Sequence, residues 1–178
     1  MVSVTADSPH FKESLAILSD CLRRAKWKAM PGASTVISEG QVQEAAANSA
    51  QFISSPHLDL SMVRLTKELR MLSMPGLTTS SEARGALQAG ADMLKIYPAA
   101  KVPPGALQSL VDELPTGTKV IPAGGVTVDQ MRPYMQCGAC GFAIGGTMYT
   151  AGMDLTVLER RARDFVQEAK SCRARLRQ

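Results

Sequence analysis

The chain has 178 residues, of which 45% are apolar and 20% are charged, and its formal net charge is +4. This length suits one domain with a sizeable core, and the composition excludes an intrinsically disordered chain. No apolar run approaches the roughly 20 residues that span a bilayer, and aromatic residues make up only 4%. We therefore expect neither a membrane nor a nucleic acid as partner. The four cysteines do not suggest a disulfide scaffold, so a reducing, cytoplasmic location is expected.

Short apolar runs alternate with helical patterns along the whole chain. Seven runs are predicted as strands because their starts lie about 20–26 residues apart, the spacing of a repeated β-α unit. They are Val2–Thr5, Trp27–Met30, Gln51–Ser54, Met71–Pro75, Met93–Tyr97, Val120–Pro122 and Phe142–Ile144. No linker or composition break divides the chain, so residues 1–178 are predicted to form a single domain.

Helix start signals separate these runs. The segment Asp7-Ser8-Pro9 is predicted to supply the N-cap of the first helix, with the proline in its first turn. Asp154 is predicted to cap the last helix, whose core side is expected to be Leu155, Leu158, Ala162, Phe165 and Val166. Three further helices begin with capping-box spacing, which pairs a Ser or Thr with a Glu or Gln three residues later. These pairs are Ser38 with Gln41, Thr79 with Glu82, and Thr127 with Gln130.

Alternating strands and helices with short loops predict a parallel α/β sheet. A doubly wound sheet usually has a glycine-rich turn after its first strand, but Thr5–Pro9 contains no glycine. Glycines instead follow the last two runs, at Gly124-Gly125 and Gly145-Gly146. In β/α barrels the loops after the last two strands commonly bind phosphate. The pattern therefore favours a TIM-type β/α barrel of about seven strands, which apparently lacks its first β-α unit.

Lys95 is the most informative single residue, because it interrupts a strand sequence that otherwise reads as buried. Period-two alternation places Leu94 and Ile96 toward the helices, and Lys95 and Tyr97 toward the barrel interior. Burial lowers the pKa of a lysine and exposes a nucleophilic amine, which Schiff-base chemistry requires. The alternative is a lysine that extends from a strand end into solvent.

The glycine loops supply a second candidate site. Gly124-Gly125 and Gly145-Gly146-Thr147 offer backbone N–H donors and one hydroxyl on neighbouring loops, a combination suited to phosphate. Ordinary turn glycines are the alternative for either loop alone. Cys137-x-x-Cys140 lacks a second pair or a nearby His, so no metal is expected there.

Several segments together resemble the 2-keto-3-deoxy-6-phosphogluconate and 2-keto-3-deoxy-6-phosphogalactonate aldolases. The resemblance runs in order from about Val4 to Ala169, and its most specific motif is similar to GADxxKxFPA, at Gly90–Ala99. The other matching segments are Gly32–Val36, Phe52–Pro56, Pro75–Thr79, Pro122–Val126 and Ile144–Thr147.

The resemblance implies a class I aldolase in which Lys95 forms a Schiff base. The implied reaction is cleavage of a 2-keto-3-deoxy-6-phospho sugar acid, of gluconate or galactonate type, to pyruvate and glyceraldehyde 3-phosphate. The resemblance also implies that Thr35 binds the pyruvoyl carboxylate, and that Pro56 and Tyr97 line the pocket. The residues implied to hold the sugar phosphate are Gly124, Gly125, Gly145, Gly146 and Thr147. Family members are typically homotrimers without cofactor or metal.

Two departures from the family bear on activity. The family opens with a β-α unit that this chain lacks, and Ser3 stands where the family carries a proton-shuttling Glu. General base catalysis is worth about 10²–10⁴-fold, and a serine does not provide a carboxylate base. The alternative function is therefore an impaired or non-catalytic relative or fragment that binds a phosphorylated ligand. A different barrel enzyme for a phosphorylated substrate is a third hypothesis, which leaves Lys95 unexplained.

Overall fold

The computed structural model describes residues 1–175, which divide into two compact units. The first unit is Met1–Leu94, and the second begins at Lys95. Both units contain helices and strands. The assignment of residues 1–178 to one domain stays a prediction.

The first unit is built on a parallel four-stranded sheet in the order β1-β2-β3-β4. Its strands are β1 (Val2–Thr5), β2 (Pro31–Ser34), β3 (Phe52–Ser54) and β4 (Leu72–Met74), followed by the two-residue strand β5 (Gly76–Leu77). The helices are α1 (Phe11–Arg24), α2 (Glu39–Ala47), α3 (Leu60–Glu68) and α4 (Ser80–Gln88). This order confirms the predicted parallel α/β arrangement in this unit.

One face of this sheet packs against the helices. Ala33 and Ile53 are aligned on neighbouring strands and belong to a buried cluster with Phe11 and Leu15 of α1. The predicted capping box at the start of α4 is confirmed, because the Thr79 N–H donates to the Glu82 carboxylate and the Glu82 N–H donates to the Thr79 hydroxyl.

The second unit begins inside a strand. Its elements are β6 (Leu94–Ile96), a 3₁₀ turn (Ala99–Lys101), α5 (Pro104–Asp112), β7 (Val120–Pro122), α6 (Val128–Gln136) and α7 (Leu155–Arg175). The Ala123 N–H donates to the Ile96 carbonyl at 2.9 Å, at the ends of β7 and β6. None of the helices within residues 1–175 is long and apolar enough to cross a membrane.

The second strand lies later in the chain than predicted. The prediction of Trp27–Met30 is wrong, since β2 is Pro31–Ser34 and the Trp27 side chain is 70% exposed. Lys26 adopts a left-handed backbone, with φ 54°, where the chain leaves α1. Pro31 takes the first position of the strand, where a missing N–H is tolerated.

The last predicted strand is also wrong. Of Phe142–Ile144, only Ala143 makes a bridge, to Ala123. The described residues still contain seven strands, because β5 adds one that was not predicted. A two-residue strand is too short for an alternation pattern to reveal.

Both terminal helices differ from expectation. α1 begins at Phe11 with His10 as its N-cap residue, so the predicted N-cap within Asp7-Ser8-Pro9 is wrong. In α7, Asp154 does accept from the Thr156 N–H at 2.8 Å and Phe165 is buried. Leu155 and Val166, however, are exposed. The inward face follows the seven-residue spacing from Leu158 through Phe165 to Cys172.

Candidate active site

Lys95 occupies the middle of β6, between two fully buried aliphatic side chains. Leu94 and Ile96 are inaccessible to solvent, and Lys95 itself is only 6% exposed. Burial lowers the pKa of Lys95 from 10.5 to about 8, because desolvation penalises the ammonium form. The predicted burial is thus confirmed, and a lysine extending into solvent is contradicted. Near neutral pH a useful fraction of this amine is uncharged and nucleophilic.

Tyr97 contacts both the lysine and the loop after β7. The Lys95 Nζ lies 5.2 Å from the centre of the Tyr97 ring, within the range of a cation–π interaction. A Cβ built on Gly124 would come within 2.8 Å of the Tyr97 Cε2 atom. The tyrosine therefore joins the amine to the first glycine loop.

The first glycine loop requires its glycines. Gly124 and Gly125 have φ of 85° and 84°, in the left-handed region where a side chain costs energy. The loop is held from the neighbouring segment, since the Ala99 N–H donates to the Ala123 carbonyl at 2.7 Å. The Ala100 N–H likewise donates to the Gly124 carbonyl at 3.1 Å.

The second glycine loop is tied to the first through Thr147. The Thr147 hydroxyl donates to the Val126 carbonyl at 2.8 Å. The N–H groups of Met148 and Tyr149 donate to the Gly145 carbonyl. A Cβ on Gly145 or Gly146 would meet no atom within 4 Å, so these positions border open space.

Two of the predicted site residues lie in the first unit. Thr35 follows β2 and has a φ of 58°, which is unusual for a β-branched residue. Pro56 follows β3, and its carbonyl lies so close to Gly76 that a Cβ there would be 2.3 Å from the oxygen. The assigned roles of Thr35 in carboxylate binding and of Pro56 in the pocket wall stay predictions. Within residues 1–175, no cluster of three His, Cys, Asp or Glu side chains is placed to hold a metal ion.

Sequence reasoning missed a charged cluster at the approach to β6. The Asp92 carboxylate accepts from the Lys67 Nζ at 2.7 and 2.9 Å and from the Ser73 N–H at 2.7 Å. The N–H groups of Asp92 and Met93 donate in turn to the Ser73 carbonyl. These bonds tie the segment before β6 to Ser73 of β4.

Comparison with known proteins agrees with this arrangement. The chain matches the model of the KDPG and KHG aldolase family over residues 1–160. It is 31% identical over 166 residues to the 2-dehydro-3-deoxy-6-phosphogalactonate aldolase of Escherichia coli. That alignment covers 93% of this chain and 80% of the relative.

Solved structures give the same result. The native KDPGal structure superposes with a TM-score of 0.92 at 30% identity, covering 96% of this chain and 82% of the other. A KDPG aldolase from Legionella pneumophila, with pyruvate captured as a covalent carbinolamine, superposes with a TM-score of 0.68 at 20% identity. It covers 96% of this chain and 79% of that one. The α/β fold is therefore that of the TIM-type barrel aldolases, and the chain belongs to the KDPG and KHG aldolase family.

Proposed function

We propose that this protein is a class I aldolase that acts through a Schiff base on Lys95. Its substrate is a 2-keto-3-deoxy-6-phospho sugar acid of gluconate or galactonate type, and its products are pyruvate and glyceraldehyde 3-phosphate. The observation that carries the proposal is the buried Lys95 amine with a pKa of about 8. Family membership and the likeness to aldolases that act on such acids support the substrate class.

Bond formation begins with the neutral amine. The Lys95 nitrogen attacks the C2 carbonyl carbon, and the carbonyl oxygen takes up a proton to give a carbinolamine. Loss of water then yields the imine, which is protonated on nitrogen. A pKa near 8 makes this attack feasible at physiological pH, whereas an ordinary lysine is almost fully protonated there.

Cleavage uses the protonated imine as an electron sink. The C4 hydroxyl loses its proton, the C3–C4 bond breaks, and glyceraldehyde 3-phosphate leaves. The bonding electrons move to the imine nitrogen and leave an enamine of pyruvate on Lys95. Protonation at C3 and addition of water release pyruvate and restore the free amine.

The two charged groups of the substrate, its phosphate and its carboxylate, are proposed to bind to different residues. The phosphate lies against the two glycine loops, where the left-handed Gly124-Gly125 and the open space at Gly145 and Gly146 support this assignment. The Thr35 hydroxyl binds the carboxylate, and Tyr97 and Pro56 line the pocket. Tyr97 has the clearest support, since its ring lies 5.2 Å from the amine.

The alternative is an impaired relative that binds the phosphorylated ligand without efficient turnover. Ser3 favours it, because a serine at the position of the family's Glu does not act as a carboxylate base. A homotrimer is also part of our proposal, supported by the likeness to a cage built from symmetric oligomeric domains, with a TM-score of 0.93 and 29% identity. The cytoplasmic location stays a prediction.

Cleavage of the two acids tests the proposal. We expect pyruvate and glyceraldehyde 3-phosphate in equal amounts, and loss of this activity in Lys95→Met. Lys119→Met, which removes an exposed lysine just before β7, should keep full activity. Because the two acids differ in configuration at C4, the ratio of their kcat/KM values assigns the substrate. Turnover that appears only in Ser3→Glu would establish the impaired relative instead.

A further inference from the structure

Tyr134 of α6 is a buried tyrosine whose hydroxyl reaches another segment of the second unit. The residue is 4% exposed. Its hydroxyl lies 2.8 Å from the Ala99 carbonyl oxygen and 2.9 Å from the Val102 carbonyl oxygen, so its single hydrogen is shared between them. Burial raises the pKa of the Tyr134 phenol, which keeps it protonated and able to donate. The hydroxyl therefore contacts the first residue of the 3₁₀ turn and the residue directly after the turn.

This 3₁₀ turn is also bonded to the first glycine loop. The N–H groups of Ala99 and Ala100 donate to the carbonyls of Ala123 and Gly124. A Cβ on Gly125 would lie 3.1 Å from the Ala100 Cβ, which shows how closely the two segments pack. A shift of the turn would therefore move the glycine loop.

The other end of the turn leads back to the lysine. Tyr97 lies two residues before Ala99 and is 40% exposed. Its ring lies close to Gly124 and 5.2 Å from the Lys95 Nζ. Tyr97 is thus a neighbour of the Lys95 amine that a movement of the turn would displace. Desolvation is the cause of the lowered pKa of this lysine. A change in its exposure would therefore change both its pKa and its reactivity.

We propose that Tyr134 is a positioning residue, whose hydroxyl holds the turn Ala99–Lys101 so that Tyr97 shields Lys95 and the glycine loop keeps its phosphate-binding geometry. The inference rests on the proposed aldolase function. Without the hydroxyl, the Val102 carbonyl loses this donor, while the Ala99 carbonyl keeps the bond from the Val102 N–H at 2.9 Å. The turn then moves toward water or another donor, and both Tyr97 and Gly124 follow it.

The test compares Tyr134→Phe with Thr66→Val. Both variants remove one buried hydroxyl, since Thr66 is fully buried and donates to the Met62 carbonyl at 2.7 Å within α3. The Tyr134→Phe variant keeps the ring, whose centre lies 6.5 Å from that of Phe142. Two quantities are measured: the pH dependence of borohydride trapping of pyruvate on Lys95, and the KM for the phosphorylated acid.

In Tyr134→Phe, the trapping midpoint should move upward from about 8, toward the ordinary lysine value of 10.5, by about half a unit or more. The KM should rise about tenfold, because the displaced glycine loop would lose one charge-assisted hydrogen bond to the phosphate. Thr66→Val should leave the trapping midpoint and the KM unchanged, even if its unfolding free energy falls as far as that of Tyr134→Phe. A purely structural tyrosine would lower the stability and leave the midpoint and the KM unchanged, which would overturn the proposal.

A second variant covers failure of Tyr134→Phe to fold. Ala100→Gly loosens the turn at an exposed position and should shift both values in the same direction. Unchanged values in Ala100→Gly would also overturn the positioning role. Absence of any pyruvate adduct in the wild-type protein would overturn the aldolase function itself, and with it this inference. If the wild type and Tyr134→Phe both form the adduct with the same pH midpoint of trapping, the inference alone is overturned.

Discussion

Gly124 and Tyr97 lie in direct contact, so that a methyl group on residue 124 would be 2.8 Å from the tyrosine ring. Gly124 also has a φ of 85°. Both facts make glycine the residue that this loop needs. The contact links the loop proposed to hold phosphate to the aromatic side chain beside the nucleophile, and this link underlies the predictions for the second unit.

Replacing Gly124 with alanine should therefore affect stability and binding together. We expect Gly124→Ala to lose about 1–3 kcal/mol of unfolding free energy, since both the backbone strain and the clash with Tyr97 oppose it. The KM for the phosphorylated acid should rise as well. Urea unfolding and steady-state kinetics measure the two effects. Gly105→Ala is the control, because a Cβ there meets nothing within 4 Å; equal stability of the two variants would contradict the clash.

The buried lysine should make stability depend on pH. The pKa of Lys95 is about 8 in the folded protein, against an ordinary 10.5, so between these values the unfolded chain binds more protons. Unfolding free energy should then rise as the pH increases from about 8 to 10.5, by about 3 kcal/mol for this group.

Lys95→Met isolates this effect. The difference in unfolding free energy between the wild type and Lys95→Met should narrow or reverse in favour of the wild type across that pH range. Lys119→Met should show a constant difference, because that lysine is exposed. Urea unfolding at several pH values makes the comparison, and a flat difference for Lys95→Met would show that the amine is not desolvated.

The ion pair of Lys67 with Asp92 should contribute measurably to the first unit. Its side chains are only 33% and 27% exposed, and Asp92 also anchors Ser73. A double-mutant cycle with Lys67→Met and Asp92→Asn should give a coupling of about 1 kcal/mol or more. The matched cycle on the exposed pair Arg163 and Glu159 should give about 0–0.5 kcal/mol. Similar couplings in both cycles would contradict the anchoring role of Asp92.

At position 35, a glycine variant should be more stable than an alanine variant, which is the reverse of the usual order. With φ at 58°, any side chain is strained by about 1–2 kcal/mol. Thr35→Gly should therefore unfold at higher urea concentration than Thr35→Ala, although both lack the hydroxyl. Both should raise the KM for pyruvate, and Thr35→Ser should largely keep it. A more stable Thr35→Ala would show that the strain is absent.

The sequence could predict those parts of the fold that depend on local chemistry. Capping boxes such as Thr79 with Glu82 depend on spacing alone, and the buried strand around Lys95 is recognisable from the apolar residues on both sides of the lysine. Trp27 was misassigned because apolar residues in a connecting loop resemble a strand. The Phe142–Ile144 segment has a strand's composition, but only Ala143 pairs.

Long-range contacts were not predictable. Tyr134 lies on the buried face of α6 beside Met131 and Met135, and periodicity alone assigns it to the core. Its polar tip was the one signal, because a buried tyrosine hydroxyl usually has a partner. That the partners are the carbonyls of Ala99 and Val102 depends on tertiary packing between residues more than 30 positions apart.

Covalent trapping tests the central claim most directly. The protein is incubated with pyruvate, reduced with borohydride and digested, and the peptide that contains Lys95 is weighed by mass spectrometry. We predict one reduced pyruvate adduct on Lys95, and none on that peptide in Lys95→Met. A folded wild-type protein that carries no adduct on Lys95, or carries it on another lysine, would contradict the account.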